Sequence, residues 1–153
     1  MMRTFLDFHR ATLEWKCDGL SDEDLRRQSM PPSTLSLLGL VRHMAEVERA
    51  WFRRRAAGEA SLGYLYFSGE SPDGDFDLAK AAGAEADLEA WARECDLARA
   101  AAAGRSLDDT FVHERTGNLT DLRWVYTHMI EEYARHNGHA DLLREQIDGA
   151  TGD

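Results

Sequence analysis

Two ionisable residues, Glu132 and His136, stand four apart on a seam drawn through Leu122, Val125, Met129, Glu132, His136, Ala140 and Leu143. Steps of three and four are those of an inward-facing helical stripe. A carboxylate on such a stripe is costly unless it is neutralised, salt-bridged or bound to a metal. The spacing stacks both side chains on one helix face, with Cβ atoms roughly 5–6 Å apart, so an oxygen and an imidazole nitrogen can hold one ion between them. A third ligand must come from another helix. His43 is the candidate, because Leu40, His43, Val47 and Ala50 share a stripe near the middle of an earlier helical stretch. His43, Glu132 and His136 together form a His2Glu set, which binds a divalent transition metal and leaves a position for water or substrate. Zinc suits such a set, and nickel, iron and manganese are compatible with its ligand types. An ordinary ion pair between Glu132 and His136 satisfies the same spacing, so the pattern alone leaves both readings open.

Four helical stretches must position these groups. The first spans about Thr4 to Asp18, with Phe5, Phe8, Thr12 and Trp15 at helical spacing and Gly19 as its stop; Ser21 then reads as the cap of one or two further turns. The second starts near Ser33 or Thr34 and runs to about Ala57, with Leu37, Leu40, Met44, Val47 and Trp51 inward and Arg42, Glu46, Glu48, Arg49 and Arg53 towards the other side. Gly58 ends it. Residues 58–83, rich in Gly, Ser, Asp and Pro around Tyr64, Tyr66 and Phe67, are too many for a tight hairpin and read as a crossover. The third helix, about Ala84 to Ala103, turns Leu88, Trp91, Cys95 and Leu97 or Ala98 inward and stops at Gly104. A short extended piece at Thr110–His113 and a turn at Thr116–Asn118 precede the fourth helix, from about Asp121 to Ile147 with Thr120 as its cap. The expected fold class is therefore all-α: a single four-helix bundle over residues 1–153, up-down-down-up, with a long crossover between the second and third helices.

Composition removes several function classes. With 18 Lys+Arg against 28 Asp+Glu, the chain carries a net charge of −10, and its one basic cluster, Arg53-Arg54-Arg55 with Arg49, has no interleaved aromatic ladder for bases; no nucleic-acid partner is expected. No secretory signal and no membrane span are read, and Cys17 and Cys95 form no C-x-x-C motif, so a reducing cytoplasm is the expected location. Both cysteines read as small core residues, since neither has a basic neighbourhood. His9, His113 and His128 show no partner and read as structural, whereas His139 reads as a surface histidine or a group behind His136. The Glu-x-x-His pattern of di-iron bundles is absent: the residue three after Glu132 is Arg135.

Two phrases then carry a resemblance. Residues 35–48, LSLLGLVRHMAEVE, and residues 128–141, HMIEEYARHNGHAD, resemble the two signature helices of the DinB-like superfamily. The resemblance covers nearly the whole chain and implies an up-down-down-up four-helix bundle, a homodimer, and a metal held by His43, Glu132 and His136. A glutamate at position 132, where many relatives have histidine, is similar to the metal domain of mycothiol-dependent maleylpyruvate isomerase and to small mycothiol S-transferases. It implies a low-molecular-weight thiol, mycothiol-like, as co-substrate, acidified at the open metal position for attack on an electrophilic small molecule. The isomerase has an additional C-terminal domain contributing to its active site, so isomerase activity is not expected of residues 1–153. The alternatives are a hydrolase using metal-bound water, for which Glu46 or His139 would be the general base, and a non-catalytic bundle stabilised by its metal.

Overall fold

The computed structural model describes residues 1–77, 79 and 83–152. Helix α1 spans Met2–Cys17, α2 Asp22–Arg26 and α3 Leu37–Glu48, which continues directly into a π-helical segment, Arg49–Ala56. A short α4, Gly74–Asp77, interrupts the crossover; part of the crossover's last stretch, residues 78 and 80–82, lies outside the described residues. Helix α5 spans Ala84–Ala101, strands β1 (Thr110–Val112) and β2 (Leu119–Asp121) form an antiparallel hairpin, and α6 runs Leu122–Asp148. The chain is mostly helical, as the all-α reading expected. Helix α1 packs on α6, and α3 packs on α5, α4 and α6.

Local chemistry accounts for the boundaries. The Ser21 hydroxyl accepts the Asp24 amide and opens α2, as read from the sequence. Ser36, not Ser33 or Thr34, opens α3 by accepting the Gly39 amide, and Asp121, not Thr120, opens α6 by accepting that of Trp124. In both cases a nearer oxygen in extended backbone takes the capping role. Gly19, Gly58 and Gly104 stand at helix ends with φ of 74°, 76° and 71°, a conformation that disfavours side chains. Gly39 is required for a different reason, because a Cβ there would lie 2.9 Å from the Phe76 ring that packs on α3.

The inward faces of α1 and α3 differ from the hydrophobic reading. Helix α1 buries Leu6, Arg10, Leu13, Lys16 and Cys17, and leaves Phe5, Phe8 and Trp15 half exposed. Helix α3 buries Arg42 and Glu48 beside Leu40 and Met44. On α5, Trp91, Cys95 and Ala98 are buried whereas Leu97 is not. Charge can turn inward on α1 and α3 because it is compensated there. Arg10 places Nε 2.8 Å from Glu48 Oε1 and Nη2 2.7 Å from Oε2, a forked pair with Glu48 at zero exposure. The Tyr133 hydroxyl donates to Glu48 Oε1 at 2.9 Å and accepts from Trp91 Nε1 at 2.9 Å, while Cys95 Sγ lies 3.8 Å from the same carboxylate oxygen. One network thus joins α1, α3, α5 and α6. Burial raises both thiols, Cys17 to about 12, as expected of core cysteines.

Removing Glu48 takes away the buried carboxylate that Arg10 forks onto and leaves the guanidinium only the half-exposed Asp7. Glu48→Ala is expected to lower the unfolding free energy by about 3–5 kcal/mol, and Tyr133→Phe by about 1–3 kcal/mol, read by urea denaturation. A change below about 0.5 kcal/mol in both, the size expected at an indifferent surface site, would remove the network from the account of stability.

Candidate metal centre

Position 43 lies two turns into α3, and positions 132 and 136 near the middle of α6. Tyr133 and Asn137, rather than Glu132 and His136, are the buried members of that part of α6. Glu132 and His136 therefore border the core, with side chains 16% and 12% exposed, and His43 faces them at 24%. This half-open position lets the groups stay polar and still meet a small molecule.

The three residues converge. His136 Nε2 lies 3.4 Å from Glu132 Oε2, and His43 Nε2 lies 3.9 Å from the same oxygen. The two imidazole rings are 4.7 Å apart, centroid to centroid, at 66°. One ligand atom from each residue falls within 4.8 Å of the others. Ligands at 2.0–2.1 Å from a tetrahedral zinc stand roughly 3.3–3.4 Å apart, so this donor set could close on one ion with small side-chain movements.

Asp75 supplies the support that a ligating imidazole usually has. His43 Nδ1 donates to Asp75 Oδ2 at 2.8 Å, which leaves Nε2 to face Glu132. Asp75 is itself placed by Arg42, whose Nε and Nη2 donate to the carbonyls of Asp75 and Gly74, each at 3.0 Å, while Nη1 pairs with Asp87. The Tyr66 hydroxyl donates to the other Asp87 oxygen, and the Arg42 guanidinium lies 4.0 Å from the Tyr66 ring centroid. Glu46 Oε2 accepts the amides of Leu65 and Tyr66 at 2.8 Å, with that of Phe67 at 3.4 Å. The aromatic crossover is thereby tied along α3.

Electrostatics follow this arrangement. Burial works against a charged His43 ring, but hydrogen bonds and charge from Asp75 and Glu132 outweigh it and raise the imidazole to about 9 in the metal-free protein. Hydrogen bonds from His136 and then His43 hold Glu132 well below the usual carboxylate range, against the opposing effect of its burial. His128, read from the sequence as structural, places Nε2 3.5 Å from Glu132 Oε1; its ring stacks on Trp124, and burial lowers its proton affinity. His139 lies with Nδ1 3.3 Å from His136 Nδ1, so it is a group behind His136 rather than an isolated surface histidine.

Asp75 and His128 are the site residues that the sequence reading missed. For His128 a signal existed: positions 128, 132 and 136 form a continuous ladder of fours. Asp75 stood among Asp73 and Asp77 with no periodicity to choose between them. Glu46, considered above as a general base, has Oε2 occupied by backbone amides, and its Oε1 is buried and unpartnered among the described residues.

Two cavities flank Trp51. One, of about 510 Å³, runs past His43, Glu46, Asp75, Tyr64, Phe67 and Arg55. The other, of about 590 Å³, is walled by Trp51, Trp124, His128 and the β-hairpin. Among the described residues, no helix is long and apolar enough to cross a membrane.

Residues 1–149 match the family model described as mycothiol-S-transferase, and the chain belongs to that family, within the DinB-like group its motifs resemble. No curated protein and no solved structure matches it.

A proton and a metal compete for His43 Nε2 or its partner nitrogen. Because the folded ring titrates near 9, above its unfolded value of 6.5, its charge stabilises the metal-free fold most below pH 6.5, and that contribution is lost as pH rises through 9. Zinc affinity is accordingly expected to rise with pH up to about 9 and then level off, with one proton released from His43, measured by calorimetry in buffers of different ionisation enthalpy. Asp75→Asn should move the break to lower pH and weaken binding about 10–100-fold. Affinity independent of pH between 6.5 and 9 would contradict this coupling.

Proposed function

We propose that this protein is a metal-dependent thiol S-transferase, which joins mycothiol or a closely related low-molecular-weight thiol to an electrophilic small molecule. Its membership of the mycothiol-S-transferase family carries the reading, and the convergence of His43, Glu132 and His136 supports the metal requirement. A divalent ion bound by these three residues, zinc by preference, supplies Lewis acidity that favours thiolate over thiol near neutral pH.

The chain's own residues provide the rest. His43, Glu132 and His136 present two neutral donors and one anion, leaving net positive charge on a bound divalent ion to stabilise a thiolate. Asp75 orients His43, and Arg42 orients Asp75. Trp51, Trp124 and the polar residues Thr116, Asn118 and Thr120 line the cavity suited to the polyhydroxylated body of the thiol. In the transfer itself, the thiol proton leaves to solvent, sulfur donates its electron pair to the electrophilic carbon, and the leaving group departs with the bonding pair. A hydrolase would need a general base; of the two candidates, Glu46 has one oxygen held by backbone amides and His139 is paired with the ring of His136.

The reading extends to the whole chain as one domain, an up-down-down-up four-helix bundle, acting in the cytoplasm without nucleic acid or membrane as partner. A homodimer is part of it, with the half-exposed Phe5, Phe8 and Trp15 of α1 as a candidate contact face.

Mycothiol and iodoacetamide provide a neutral test reaction, followed by mass spectrometry of the thioether. His136→Ala is expected to abolish stoichiometric metal binding and to lower the catalysed rate at least 100-fold while the helical circular dichroism is retained. Glu132→Gln should weaken metal binding by removing the anionic ligand. Full metal retention by His136→Ala, or wild-type affinity in Glu132→Gln, would overturn the site assignment; catalysis equal in metal-loaded and chelator-treated protein would overturn the metal requirement.

A further inference from the structure

The basic cluster in the π-helical segment does not serve one purpose. Arg49 and Arg53 both turn onto the fully buried Glu94, at 2.6 and 3.1 Å, and stitch that segment to α5. Arg54 and Arg55 do not. Arg10, Arg42, Arg105 and Arg144 likewise donate to carboxylates or carbonyls, whereas Arg54 and Arg55 donate no hydrogen bond among the described residues, and the Nε atom of each is buried without a partner. A guanidinium N–H removed from water without an acceptor is a cost that an anion would relieve.

Arg55 is the one of the two that faces a cavity. Its side chain is only 17% exposed, and its guanidinium carbon lies 4.4 Å from the Trp51 ring centroid. Such stacking uses the face of the guanidinium and leaves its edge N–H groups free to fork onto a carboxylate. Its nearest acid, Glu114, is 3.8 Å away from Nε, too far for a hydrogen bond, and is itself 43% exposed. Arg115 lines both cavities with Arg55, is exposed, and has no ion pair among the described residues. Burial lowers the proton affinity of Arg55; Glu114 and Tyr64 oppose that effect, and the charges of Arg54 and Arg115 add to it. A local excess of positive charge thus stands on a ridge between two cavities, in a chain whose net charge is −10.

Glu114, next to Arg115, is the acid at the Arg55 end of the shared cavity; the other acids, Glu46 and Asp75, lie further along it. His43, Glu46, Ala50, Trp51 and Arg55 succeed one another along α3 and its π-helical continuation, and Asp75 is held at the His43 end. At no more than the α-helical rise, positions 43 and 55 are at most roughly 18 Å apart, which leaves a span on the order of 10 Å or less after the reach of the side chains.

We propose that Arg55 and Arg115 form a carboxylate-binding subsite, and that the electrophile is an elongated, planar carboxylic acid whose anionic end lies on this ridge while its reactive end points toward His43. This deepens the thiol-transferase reading and rests on it. The carboxylate is assigned to the electrophile because mycothiol carries its cysteine as an amide and brings no carboxylate of its own. Trp51, Tyr64 and Phe67 give the cavity apolar walls for the body of the acceptor.

The binding test needs no turnover. Calorimetric titration of unreactive trans-cinnamate, with cinnamamide as its neutral counterpart, is made on zinc-loaded and on chelator-treated protein. Saturable binding of cinnamate to both forms is expected, at least tenfold tighter than cinnamamide and weakening with added salt. Arg55→Gln should lose at least tenfold for cinnamate and leave cinnamamide unchanged; Arg115→Gln, at an exposed position that does not threaten folding, should lose several-fold. No cinnamate binding, equal binding of the amide, or unchanged affinity in both variants would overturn the subsite. Binding that disappears with the metal but survives Arg55→Gln would place the carboxylate on the ion and also overturn it. Failure of the thiol-transferase reading shows separately, as absence of mycothiol turnover with iodoacetamide in protein that still binds cinnamate.

Discussion

A carboxylate with no exposure to water, Glu48, sets the terms for the rest of the structure. It can lie there only if donors meet both oxygens, and they come from different elements: Arg10 from α1, and Tyr133 from α6, which is in turn held by Trp91 of α5. Each bond is directional, so the network restricts the rotation and axial position of helices that apolar packing alone would leave freer to slide. Tyr133 immediately follows Glu132 and lies less than one turn before His136. Satisfying Glu48 with Tyr133 therefore helps fix the face of α6 on which Glu132 and His136 meet His43 of α3.

A second constraint works from the outside. Among its described residues the crossover between the π-helical segment and α5 contains little regular structure, yet Glu46 gathers its amides and Arg42 its carbonyls. Both residues flank His43 in sequence. The same helix that supplies the imidazole thus recruits the loop that supplies Asp75, and the imidazole is oriented by a carboxylate about thirty residues away in the chain. Rigid placement of a polar group by buried hydrogen bonds is what lets a site keep its geometry while staying open to a small molecule.

Much of this was legible in the sequence, and the limits have physical causes. His43, Glu132 and His136 were picked out because a charged residue on an apolar helical stripe is expensive, and the structure brings those three side chains together. The glycine stops were legible because a positive φ penalises a side chain. The inward face of α1 was not: Phe5, Phe8 and Trp15 look like a core stripe, but the buried stripe is Leu6, Arg10 and Leu13, and Arg10 can lie there because Glu48 answers it from another helix and Asp7 from its own. Hydrophobic periodicity cannot register a compensation made across the fold. The π-helical turns from Arg49 to Ala56 escaped for a similar reason, since nothing in the spacing marks the step from α-helical to π-helical geometry. Asp75 was hidden by its irregular setting, where only tertiary contacts select one acid among several.

The central claim is that a small thiol becomes a ligand of an ion held by His43, Glu132 and His136. Cobalt(II) substitution followed by titration with mycothiol tests it most directly. The account predicts about one cobalt per chain, a four- or five-coordinate spectrum, and a thiolate-to-cobalt charge-transfer band that grows to saturation with thiol. Cobalt bound at that stoichiometry with no new band at saturating mycothiol would contradict thiol activation, and failure to bind cobalt or zinc at all would return Glu132 and His136 to an ion pair.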